Sequence, residues 1–174
     1  MLADKLQALD RTLRERHPAL YATLRPGIPR QSPFDDLRKW FAWRDGQGDG
    51  VAPFAGPLLF EWHRFVPFDE GQAQRREMRR AAWTNPIRAV FFLTLGRALL
   101  RSWPLLLDAS GAGYYFDTGR RTVVYRLEGE QDALFESFER FVDYLIELSA
   151  LSADHQTFLE TEQRLLQRYA SQAA

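Results

Sequence analysis

The stretch Trp103–Leu148, WPLLLDASGAGYYFDTGRRTVVYRLEGEQDALFESFERFVDYLIEL, decides the fold. Three apolar runs are separated by turn residues. Trp103–Leu107 ends at DASGAG, Tyr114–Phe116 ends at Asp117-Thr118-Gly119, and Thr122–Leu127 ends at Glu128-Gly129. These turns contain residues that tolerate the positive φ of tight hairpins. Short connections between consecutive strands favour antiparallel pairing, so the stretch predicts a β-meander. Leu134, Phe138, Phe141, Leu145 and Leu148 then step by four, three, four and three residues. That spacing predicts a helix laying one apolar stripe on the sheet. Each such side chain contributes roughly 1.5–3 kcal/mol when buried, which makes the helix integral to the core. The stretch is also poor in reactive side chains, which points to a binding protein rather than a catalyst.

Working outward, Leu2, Leu6, Leu9 and Leu13 recur at helical spacing and open the chain with an amphipathic helix. His17-Pro18 interrupts it, because a residue before proline avoids the α region. A short helix through Leu20–Leu24 follows, then a loop over Arg25–Pro33 with three prolines and a glycine. Ser32 is placed to cap a second helix with Pro33 at its first position, and Asp35 and Asp36 complement the helix dipole. Its apolar face holds Phe34, Leu37, Trp40 and Phe41, and it stops near Asp45-Gly46, where GQGDG makes a turn. Leu58–Val66 predicts one or two strands, and Asp69–Ala82 an exposed helix. Asn85-Pro86 launches a further helix through Ile87, Val90, Phe91, Leu95 and Leu99, with a strand as the alternative over Val90–Leu95. A last helix carries Phe158, Leu159, Leu165 and Leu166, and the tail SQAA reads as frayed. The chain reads as one α+β domain spanning 1–174, an antiparallel meander of mixed strand lengths packed by helices. Its core covers about 24–148, with flanking helices at 2–16 and 153–170.

Composition narrows the function. A length of 174 residues suits one domain, and 45% hydrophobic with 14% aromatic residues argues against disorder. With no cysteine, disulfide scaffolds, Cys-containing zinc sites and thiol nucleophiles are excluded. The opening MLADKLQALDRTLRER has charges throughout and reads as no signal peptide, which suits a cytoplasmic protein. Ile87–Leu100 is too short to span a bilayer and contains Arg88 and Arg97, so no membrane role is expected.

A formal net charge of zero argues against general nucleic-acid binding. The zero hides a dipole. Glu70–Arg101 carries seven Arg against two Glu, and Glu128–Glu162 ten acids against one Arg. Either block suits a partner of opposite charge, although both also fit solvated helix faces that offset each other.

No catalytic constellation emerges. His17, His63 and His155 lie in separate segments, and His63 with Glu61 lacks a third metal ligand nearby. No glycine is followed by lysine, so neither GQGDG nor GAG forms a phosphate loop. Asp45, Asp49, Asp108 and Asp117 sit at turns, where Asp commonly bonds its own backbone. Trp40, Trp43 and Trp103 lie on apolar faces and read as core. Trp62 and Trp83 lie beside polar residues and are candidate partner anchors, because Trp and Arg are enriched among binding hot spots.

Three blocks together resemble the SUKH superfamily. The first is LRPGIPRQSPFDDLRKWFAWRDGQGDG, Leu24–Gly50, in which a proline-containing loop leads into a helix ending in an aromatic, a polar pair and Gly. The second is WPLLLDASGAGYYFDTG, Trp103–Gly119, a Trp strand, an Asp/Gly turn and a Tyr-containing strand ending in Asp. The third is VVYRL followed by SFERFVDYLIEL. They cover roughly half the chain, none is a catalytic signature, and Arg75–Arg101 is longer and more helical than the family pattern. The resemblance implies a single α+β domain without cofactor or metal. It further implies an immunity protein that binds and neutralises a cognate antibacterial toxin, often a nuclease, or else a regulatory interaction module with an endogenous partner. On that reading the candidate partner-binding residues are Trp62, Arg75, Arg76, Arg79, Arg80 and Trp83 on the basic side, with Asp132, Glu136, Glu139 and Asp143 as the acidic alternative.

Overall fold

A computed structural model describes residues 1–48, 63–84, 101–108, 110–127, 130–151 and 155–172. Two helices, α1 (Leu2–Arg16) and α2 (Pro18–Thr23), meet at His17 and lead into strand β1 (Leu24–Pro26). Helix α3 (Asp35–Trp43) continues without a loop into β2 (Arg44–Gln47), and β1 pairs antiparallel with β2. After β3 (Arg64–Phe65) comes the long α4 (Phe68–Thr84). The meander follows as β4 (Ser102–Leu107), β5 (Gly113–Asp117), β6 (Thr122–Leu127) and β7 (Glu130–Phe135). Helices α5 (Phe138–Ala150) and α6 (His155–Tyr169) and the terminal β8 (Ser171–Gln172) complete it.

Strands β3 to β8 form one antiparallel sheet in sequence order. The three predicted strands are therefore the centre of a longer meander. Alternation sends Tyr114, Phe116, Val123 and Phe135 to one face, where they meet Leu9 and Leu13 of α1, Trp40 and Phe41 of α3, and Phe141, Leu145 and Leu148 of α5. The other face buries Val66, Leu107, Tyr115 and Val124, with Leu134 partly covered. A register shift between Pro104 and Leu106 leaves Leu105 as an extra residue in β4, which brings both Leu105 and Leu106 into the main core. One core draws on the six helices of the described residues, which is the packing of a single α+β domain. Helix α1, placed by the sequence outside a core of about 24–148, contributes four of its leucines.

Several expectations are corrected. Ser32 does not cap α3: its Oγ accepts the Phe34 amide at 3.2 Å, a local turn bond, and the helix begins two residues beyond Pro33 with Phe34 as its N-cap residue. Nor does α3 reach Asp45-Gly46. The backbone turns extended at Arg44, and Gly46 adopts a φ of 81° inside β2. Leu134 belongs to β7 and faces Val124, so the apolar stripe of the helix starts at Phe138. The break is chemical: Ser137 Oγ accepts the Arg140 amide at 3.2 Å and caps α5. The tail is not frayed at 171–172, because Ser171 pairs with Leu134 and Gln172 with Ala133. Helix α4 is exposed only in part, since Phe68 and Gly71 are buried. The strand expected over Leu58–Val66 is seen only at Arg64–Phe65. Its earlier part, the helix expected through Ile87–Leu99, Asp49 and Trp62 lie outside the described residues. No helix among the described residues is long and apolar enough to cross a membrane.

Candidate partner-binding surfaces

Helix α4 is anchored by its first turns. Phe68 packs edge-on against Phe41 at 5.1 Å, and its amide donates to Asp45 Oδ1 at 2.9 Å. Gly71 lies where a Cβ would meet the Trp103 indole nitrogen at 2.9 Å, so the helix can sit close to β4 only with glycine there. Arg75 lays its guanidinium 4.8 Å from the Trp103 ring centroid. Burial, and then the charge of Arg79, pull the Arg75 pKa down. Of the four predicted arginines, Arg75 is thus a half-buried clamp on the sheet. Arg76, Arg79 and Arg80 are exposed. Helical spacing puts 76, 79 and 80 on one face with position 83 between them, about a quarter turn from the side held by Phe68, Gly71 and Arg75. Arg76 additionally donates to Gln72 at 2.9 Å.

The acidic candidates do not form a comparable face. Asp132 lies in β7 at a register shift opposite Tyr125 and Arg126, away from the helix that carries Glu139 and Asp143. Asp143 is bonded to Lys5 at 2.5 Å, Glu136 lies 3.7 Å from Arg140, and Glu147 binds Arg168 at 3.1 Å. Each of these acids has a basic neighbour, and Glu136 and Glu139 are both exposed at the start of α5.

The turn acids serve the loops that hold them. Asp108 Oδ1 accepts the amides of Ser110 at 2.8 Å and Ala112 at 2.9 Å. Burial raises the Asp108 pKa, but these bonds and the Ser110 hydroxyl outweigh it and hold the carboxyl below its ordinary range. Asp117 Oδ1 accepts the amides of Gly119 and Arg120 at 2.8 and 3.2 Å. Asp45 departs from the expected local turn. It is buried, fixes the Phe68 amide across 23 residues, and accepts Arg30 at 2.5 Å. Beside it a cleft of about 640 Å³ runs past Arg25, Ile28, Arg30, Gln47, Arg64 and Glu70. Arg30 is engaged there by Asp45 and Asp69, and Arg64 by Glu70, so its charges are matched internally.

Two of the histidines also sit in structural contacts. His17 Nε2 lies 2.7 Å from the Ser149 carbonyl, tying the α1–α2 joint to the end of α5. His63 sits beside the Tyr114 and Tyr125 rings. Sequence reasoning read Asp45 only as a turn residue and did not single out Arg30, because the bonds that join them to each other and to the start of α4 link positions 15 to 39 residues apart. No family model matches this sequence, and no curated protein matches it.

Proposed function

We propose that this chain is a SUKH-type immunity protein that acts without catalysis, binding a cognate antibacterial toxin in the cytoplasm and neutralising it by one-to-one association. The resemblance of three sequence blocks supports the family, and the α+β meander packed by helices is compatible with it. The observation that carries the choice of surface is the ridge of Arg76, Arg79 and Arg80 on one face of α4. Asp143, Glu136 and Glu147 have Lys5, Arg140 and Arg168 as basic neighbours, whereas Arg76, Arg79 and Arg80 place positive charge on one exposed face of α4. The toxin is accordingly expected to dock through an acidic patch, with charge steering the encounter and an apolar anchor such as Trp83 slowing release.

Co-expression with the product of a neighbouring toxin gene tests the reading. Cells should survive, and the two chains should co-purify at equal stoichiometry. A toxin that stays lethal with no complex recovered rejects immunity. The surface has a separate test. Reversing Arg76, Arg79 and Arg80 to Glu should slow association at least tenfold at low salt, and less at high salt, where the charges are screened. An association rate unaffected by the reversal removes α4 from the interface.

A further inference from the structure

A second cationic site lies away from α4, on the outer side of the first helix. Gln7, Asp10, Arg11 and Arg14 share one stripe of α1 at spacings of three and four residues. They face Ala42, Trp43 and Arg44 at the junction of α3 and β2, and the two sets of residues enclose a pocket of about 440 Å³. Asp10 is the hub. Its Oδ1 accepts Arg44 at 2.6 Å and the Trp43 indole N–H at 3.0 Å, and its Oδ2 accepts Arg14 at 2.9 Å and the Tyr21 hydroxyl at 3.1 Å. Tyr21 adds a second support, with the Arg44 guanidinium 4.6 Å and the Arg14 guanidinium 5.2 Å from its ring centroid. These contacts fix two planar forks that would otherwise be mobile.

The charges around this pocket do not balance. Arg11, Arg14 and Arg44 bring three positive charges against the single carboxylate of Asp10. All four acceptor positions of that carboxylate are taken. Among the described residues Arg11 has no hydrogen bond or ion pair, and Arg14 and Arg44 use only one terminal nitrogen each in the bonds above. This differs from the cleft beside Asp45, where Arg25, Arg30 and Arg64 are faced by three carboxylates, Asp45, Asp69 and Glu70. An oxyanion accepting from the remaining donors of these guanidinium groups would make charge-assisted bonds that the one carboxylate of Asp10 has no oxygens left to supply. We propose that this pocket is a binding site for an oxyanion, a phosphate or carboxylate group, held by Arg11, Arg14 and Arg44 and oriented by Asp10. The proposal does not rest on the toxin reading, which uses α4.

Isothermal titration of the full-length protein at low ionic strength tests it, with pyrophosphate in one arm and an acetylated Glu-Glu dipeptide in the other. Binding of pyrophosphate alone identifies a phosphoryl ligand, and binding of the dipeptide alone identifies the carboxylate of a protein partner. In either case Arg11→Gln with Arg14→Gln should weaken the bound probe at least tenfold, and Arg11→Gln alone about threefold. Arg11 makes no bond among the described residues, so the single variant keeps the test valid if the double variant unfolds. Arg120→Gln, at an exposed arginine outside the pocket, should leave the affinity unchanged. Failure of both probes to bind, or binding that survives Arg11→Gln and Arg14→Gln, overturns the proposal. Because α4 is untouched, that result leaves toxin association to be judged on its own.

Discussion

Asp45 shows how one side chain can set the position of an element. Its carboxylate is buried, takes the first amide of α4 on one oxygen and Arg30 on the other, and thereby ties β2 to the segment entering the helix. Removing the carboxylate leaves the buried Phe68 amide without its acceptor, a loss of about 1–3 kcal/mol, while Arg30 keeps Asp69. Asp45→Ala should therefore destabilise the protein by about 1–3 kcal/mol in urea unfolding. Asp45→Asn, which keeps an acceptor for the Phe68 amide, should cost less. Equal losses for the two variants would show that the amide bond is not the source of the effect. Gly46 next to it has a φ of 81°, and a Cβ there would lie 2.6 Å from the Pro67 ring, so this position excludes side chains for two separate reasons. Asp45 and Gly46 are neighbours in sequence, yet only the fold shows that one holds α4 and the other makes room for Pro67.

At the scale of elements, α6 is attached through a polar chain as well as by leucines. Tyr114 and Tyr144 lie 3.0 Å apart through their hydroxyls, and Tyr144 donates to Glu162 at 3.1 Å. Burial raises the Glu162 pKa, and the Tyr144 bond offsets this only in part. A raised carboxyl pKa favours folding below the ordinary glutamate range, and that contribution is lost as pH rises through the folded-state value. Glu162→Gln, which retains an acceptor for Tyr144 and carries no charge, should therefore raise the melting temperature at neutral pH. The gain should shrink towards zero as pH falls below the ordinary glutamate range. A gain of equal size at acid and neutral pH would rule out titration of Glu162 as its cause. At the far end of the same helix Arg140 donates to the carbonyls of Arg168 and Tyr169, so α5 caps the helix that packs on it.

Across the molecule, Trp40 joins the layers. Its ring stacks on Phe65 of β3 at 5.7 Å and meets Phe138 of α5 at 5.6 Å and Trp43 of its own helix at 5.2 Å. It is one of the largest fully buried side chains, so truncation would open a cavity shared by the sheet and two helices. Trp40→Ala should cost about 3–5 kcal/mol. Against a typical total of about 5–15 kcal/mol, this brings the variant close to the folding threshold. Urea unfolding with an unchanged denaturant slope is the measurement, and a loss below about 1 kcal/mol would show that the layers do not depend on this ring. The wider aromatic cluster explains the high share of such residues, most of which hold the core rather than offer binding anchors.

Local pattern determined the meander, its antiparallel order and the amphipathic character of α1, α3 and α5. Alternation, helical spacing and turn residues act over a few positions and can be read without partners. The same spacing misassigned Leu134, because a strand residue four places before Phe138 continues a helical count by coincidence, and only pairing with Val124 settles its place. Pairing likewise turned Ser171–Gln172 into a strand, since so short a segment has no propensity that outweighs its neighbours. For the candidate surfaces, the sequence located the arginines of α4, while the fold separated Arg75, which lies on Trp103, from the exposed ridge. It also dispersed the acidic set, matched three of the α5-side carboxylates with basic neighbours, and gathered Arg11, Arg14 and Arg44 around one aspartate. Charge in a sequence records how many groups are present. Some matches are local, as between Glu136 and Arg140, but others join segments far apart in sequence, as between Asp10 and Arg44, and those distances are set only by tertiary packing.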